Sequence, residues 1–87
     1  MNNKHRKTLQ KVMTRPPLAS IPWKDIESLI KGLGGIIEEG EGSRVHLLLN
    51  NEAATFHRPH PHKETDKGAV VSMQRFLALA GITDDDL

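Results

Sequence analysis

The sequence predicts an α+β domain in which helices cover one face of a three-stranded antiparallel sheet. Three observations predict it. Trp23, Ile26, Leu29, Ile30 and Leu33 recur at the period of a helix. Between residues 43 and 49, Val45, Leu47 and Leu49 share one face of a strand, while Arg44, His46 and Leu48 share the other. Val70, Met73, Phe76, Leu77 and Ala80 then return to the helical period. The implied order is α–α–β–β–β–α. A chain of 87 residues makes one domain with a modest core, so any site is expected to be shallow and on the surface.

Each element has its own signals. Residues 4–14 read as a short helix with Leu9, Val12 and Met13 as its apolar stripe, ended by Pro16 and Pro17. Isolated helices shorter than about 12–15 residues are marginal in water. The basic extension 1–19 is therefore expected to dock loosely. Ser20 is expected to cap the second helix, with Pro22 in its first turn, and Gly34-Gly35 to end it. Trp23 belongs to its buried stripe. Ile36-Ile37 opens the first strand, Gly40 and Gly42 bracket a turn, and residues 43–49 and 53–57 form the other two strands around Asn50-Asn51-Glu52. The proline-rich segment 58–62 is irregular. Thr65 or Asp66 caps the last helix, whose core includes Met73 and Phe76, and Gly81 closes it. The domain spans 20–82, and 83–87 form an acidic tail with Asp84, Asp85 and Asp86.

Composition excludes several classes. Without cysteine there are no disulfides and no thiolate zinc sites. No apolar run reaches the length of a membrane span, and the N-terminal segment lacks the apolar stretch of a signal peptide. A cytoplasmic protein with no membrane contact is expected. The net charge is only +1, but Lys4, Arg6, Lys7, Lys11 and Arg15 make the first sixteen residues basic with no acid among them. Basic ends commonly serve nucleic acid.

The richest segment is His57-Arg58-Pro59-His60-Pro61-His62. An imidazole, with an unperturbed pKa of about 6.5, exchanges protons near neutrality. Arg58 and Lys63 beside these histidines would draw a phosphodiester. A turn at Asn51-Glu52, or over 50–53, sets His46 directly opposite His57 and Leu47 opposite Phe56, with Cβ atoms of such pairs about 4.5–5.5 Å apart. Cleaving RNA without a metal requires a base for the 2′-hydroxyl, an acid for the leaving oxygen and cations on the phosphate. His46 and His57 fit the first two roles, and Arg44, Arg58 and Lys63 the third. His57, His60 and His62 with a carboxylate also allow a zinc reading. Pro59 and Pro61 stiffen that segment, and its spacing is neither a helical nor a strand repeat. Neither a metal nor another cofactor is expected.

These motifs, in this order, resemble the HicA family of toxin–antitoxin proteins. The resemblance rests on Gly34-Gly35 after an amphipathic helix, Gly42-Ser43 opening a strand and the His60-Pro61 pair. It also rests on Asp66-Lys67-Gly68-Ala69-Val70 and on a final helix ending in Ala80-Gly81-Ile82. It covers residues 20–82. It implies a fold like that of double-stranded-RNA-binding domains, cofactor-free cleavage of mRNA, and neutralisation by a HicB-like antitoxin protein. The family usually carries its catalytic histidine right after Gly-Ser or one position later. Arg44 and Val45 stand there in this chain, and His46 is the nearest histidine, one strand repeat along. His60 matches the family's His-Pro pair. The expected site is thus His46, His57 and His60 for proton transfer, with Arg44, Arg58, Lys63 and Lys67 on phosphate. A non-enzymatic RNA-binding module and a partner-binding remnant of a toxin operon are the alternative readings.

Overall fold

A computed structural model describes residues 1–60 and 62–86. Helix α1 (Asn3–Met13) starts at Asn2, whose side chain accepts the His5 N–H at 2.7 Å. Its apolar stripe does not dock loosely, as its length suggested. Leu9 and Val12 are fully buried in the core. Gln74 donates to the carbonyls of Val12 (2.8 Å) and Thr14 (3.2 Å), which have no partner within the helix. At the other end, His5 Nε2 shares a 2.8 Å hydrogen bond with Ser28 Oγ. Packing of an amphipathic face outweighs weak intrinsic helicity, as in most short helices of folded proteins.

The chain next forms a short strand, β1 (Ile21–Pro22), before helix α2 (Trp23–Gly32). Ser20 is not the helix cap. It lies in the left-handed region at φ 75°, and its N–H donates to the Thr65 carbonyl at 3.1 Å. The cap position falls to Pro22, with no side-chain bond. A pairing of β1 with residues 64–65 takes the backbone that Ser20 would have used. Helix α2 ends as the glycines predict. Gly34, at φ 92°, donates to Lys31, and Gly35 donates to Ile30. These are the two bonds of a Schellman turn.

Three strands follow, β2 (Ile36–Glu39), β3 (Arg44–Leu49) and β4 (Glu52–His57), in an antiparallel sheet of order β2-β3-β4. The β3–β4 turn corrects the sequence reading. Asn50 and Asn51 are the central residues, at φ 49° and 69°, and Glu52 already pairs with Leu49. A two-residue hairpin of this kind needs positive φ at both positions, which asparagine tolerates and glutamate does not. The register therefore sets Arg44 opposite His57, Val45 opposite Phe56 and His46 opposite Thr55. His46 is not opposite His57. Replacing Asn51 by valine, a β-branched residue unsuited to positive φ, should cost about 1–3 kcal/mol in urea denaturation, whereas Asn51→Gly should cost nothing measurable.

Strand β5 (Glu64–Thr65) pairs with β1, and helix α3 (Lys67–Leu79) follows. Asp66 caps it by accepting the Ala69 N–H at 2.8 Å. Gly81, at φ 84°, and Ile82 close it with a second Schellman turn onto Ala78 and Leu77. Asn50 Nδ2 donates to the Ala80 carbonyl at 2.9 Å, tying the hairpin turn to the end of this helix. A single turn of 3₁₀ helix, Asp84–Asp86, lies in the acidic tail. The core sits between the helices and one sheet face. There Phe56 packs against Trp23 and Phe76, with ring centroids 5.7 and 6.4 Å away. No helix is long and apolar enough to cross a membrane among the described residues.

Candidate active site

The sheet face away from the core is built by alternation. With Val45, Leu47, Leu49 and Phe56 buried, Arg44, His46 and Leu48 of β3 and Ala53, Thr55 and His57 of β4 must face outward. Arg58 N–H donates to the Ser43 carbonyl at 2.9 Å, just beyond the Arg44–His57 pair. That makes Arg44–His57 a non-hydrogen-bonded pair, the kind whose Cα atoms approach to about 4.5 Å and whose side chains lie closest. His57 Nδ1 shares a 3.2 Å hydrogen bond with Ser43 Oγ. His46 Nδ1 shares one of 2.8 Å with Thr55 Oγ1. A Cβ at Gly40 would stand 3.0 Å from His46 Nε2, so the bare glycine leaves room for that ring.

His46 and His57 are therefore diagonal neighbours, a relation that puts positions about 7–8 Å apart. This suits a shared phosphodiester better than direct opposition. The attacking and leaving oxygens lie on opposite sides of phosphorus, and each imidazole must come within about 2.6–3.2 Å of its own oxygen. Arg44 is half exposed on this face, with a loose 3.6 Å contact to Glu41.

Arg58 has a different place. Its Nε donates to Glu27 at 2.7 Å and its Nη2 to Glu39 at 2.7 Å, and Nη1 also bonds Glu39. The hydrogen bonds it donates to Glu39 and then to Glu27 hold the guanidinium more firmly protonated than usual, with burial acting the other way. The bond from Arg58 likewise holds the Glu39 carboxyl below its ordinary range. Two carboxylates thus occupy the guanidinium that the sequence reading assigned to phosphate. Glu27 also accepts the Trp23 indole N–H. Arg58→Ala should leave these groups unmatched and lower stability by about 1 kcal/mol, a figure kept small because Glu39 is 68 % exposed. In a domain this size that is a fall in Tm of about 4–8 °C. Because the Glu39 carboxyl is depressed, its share of the effect is present at neutral pH. It disappears as pH falls through the lowered value, so the gap between wild type and variant should narrow in acid melts.

His60, His62 and Lys63 are exposed on the segment after β4, and Lys67 opens α3. Pro61, the second half of the His-Pro pair, lies outside the described residues. Among the described residues no group of three His, Asp or Glu is placed to ligate a metal. The structure thus brings Arg44, His46 and His57 onto one face and leaves His60, Lys63 and Lys67 beyond its end. Ser43 and Thr55, the partners of the two rings, were missed by sequence reasoning. The Asn50-Asn51 pair was the signal that would have found Thr55 through the correct register.

A comparison with protein-family models matches residues 23–82 to the family described as HicA toxin of bacterial toxin-antitoxin. The match runs from the first residue of α2 to the Schellman turn after α3, and α1 lies outside it. No curated protein and no solved structure gives a significant match.

Proposed function

The chain belongs to the HicA family of bacterial toxins, and from that premise we propose that it cleaves mRNA by metal-independent histidine chemistry. Its fold is the α+β, double-stranded-RNA-binding-domain-like one of that family, and membership implies an antitoxin partner. The observation that carries the cleavage reading is the Arg44–His57 pair. Arg44 stands where the family usually has its histidine, directly after Gly42-Ser43, and the residue facing it across the hairpin is an imidazole. The imidazole one strand over takes the proton-transfer role, and Arg44 supplies a cation beside it.

His57 and His46 act as base and acid. One takes the 2′-hydroxyl proton as the 2′-oxygen attacks phosphorus. The other protonates the 5′-oxygen as its bond to phosphorus breaks, leaving a 2′,3′-cyclic phosphate. Arg44 stabilises the charge that builds on the non-bridging oxygens. Lys63 and Lys67 hold neighbouring phosphates, and His60 supports the site from the following segment. Arg58 is left out of the phosphate contacts because Glu27 and Glu39 hold it. The substitution at Arg44 also favours a second reading, an RNA-binding module without catalysis.

Incubation with RNA in excess chelator tests the reading. Products with 2′,3′-cyclic phosphate ends are expected. Activity that needs a divalent metal would overturn the metal-independent mechanism, and RNA that is retarded but stays intact would favour the binding module.

A further inference from the structure

At the end of the sheet, α2's first turn and the chain leaving β4 enclose a cleft of about 370 Å³. This is within the about 300–1,000 Å³ usual for small-molecule sites. We propose that it receives one nucleobase of bound RNA, with the phosphate of that nucleotide on Lys24 and Lys63. The proposal rests on the RNA reading above.

Trp23, 5 % exposed, supplies one aromatic wall, and Pro22 and Pro59 supply saturated apolar ones. Apolar walls accept the face of any base, and stacking on an aromatic one contributes about 1–3 kcal/mol per base in single-strand binders. Lys24 and Lys63 line the same cleft, both exposed and neither in an ion pair among the described residues. Of its other lining residues, Arg58 is already paired with Glu27 and with Glu39. With those charges counted, the two lysines leave the mouth cationic by one unit. A phosphodiester complements that charge. Pro59 is two residues beyond His57, so a nucleotide next to the one at the imidazoles reaches this cleft along the chain that leaves β4.

Trp23 is the only tryptophan in the chain, and it is 5 % exposed, so its fluorescence reports the cleft wall. The probes are 2′-O-methyl RNA hexamers of each base, which lack the attacking hydroxyl, and an abasic ribose-phosphate hexamer. Saturable quenching is expected from the base-containing hexamers and none from the abasic one. Lys24→Ala with Lys63→Ala should flatten the log–log salt dependence by roughly 0.7 per lost contact, with an unchanged thermal melt. Equal quenching by the abasic hexamer, or none by any, overturns the proposal. So does a double variant that binds RNA normally but no longer binds a purified HicB-type antitoxin, which would make the occupant a protein. Quenching without any cut of unmodified RNA would sink the cleavage reading and keep the cleft. Cutting without quenching would do the reverse.

Discussion

His57→Ala is expected to reduce RNA cleavage by about 10²–10⁴-fold, the usual contribution of a positioned acid–base group, and to relieve growth arrest on expression. The variant should melt like the wild type. His57 is exposed on the outer sheet face and contributes nothing to the core. Its recorded partner is Ser43 Oγ, so Ser43→Ala should have a smaller effect through a less fixed ring. The cross-strand pairing makes a sharper test. In the His57→Ala background, Arg44→His returns an imidazole to the facing position and should recover part of the lost rate. Full growth arrest by a folded variant lacking both His46 and His57 would remove these rings from the chemistry.

Leu9→Ala should cost about 2–5 kcal/mol, as expected for a large-to-small change in a core. Leu9 is fully buried, although it belongs to a segment outside the family match. Total stability of a domain is only about 5–15 kcal/mol, and small domains lie toward the lower end. The variant should therefore lose much of its urea resistance. Deletion of residues 1–16 should be worse, since it removes Leu9 and Val12 together and leaves Gln74 without the two carbonyls it serves. A truncated chain with a wild-type Tm would show that α1 is an appendage after all.

The faces of the elements were legible in the sequence, but the register between them was not. Moving the β3–β4 turn from Asn51-Glu52 to Asn50-Asn51 shifts the pairing by two positions, which keeps every side chain on its face. The burial of Val45, Leu47 and Phe56 therefore could not distinguish the two pairings. Only turn chemistry could, through the positive φ that asparagine accepts. The docking of α1 was hidden because its stability comes from contacts with α2 and α3, and no property of eleven residues read alone reveals those. Arg58 looked like a phosphate ligand because its sequence neighbours are histidines. Its actual partners are Glu27, which lies 31 residues away, and Glu39, which lies 19 residues away.

The hairpin that bears Arg44, His46 and His57 is anchored at both of its ends. At the turn, Asn50 holds the carbonyl of Ala80, and at the open end Arg58 bolts β4 to α2 and β2. A plate fastened this way is set before any ligand arrives, so little free energy is needed to arrange it on binding. The same anchoring bears on how an antitoxin would meet this face. An inhibitor that works by bending the plate must break an anchor first, whereas one that lies across it meets a finished surface. Occupying the face would thus be the less costly route to neutralisation, and it would leave the hairpin beneath unchanged once the cover is removed.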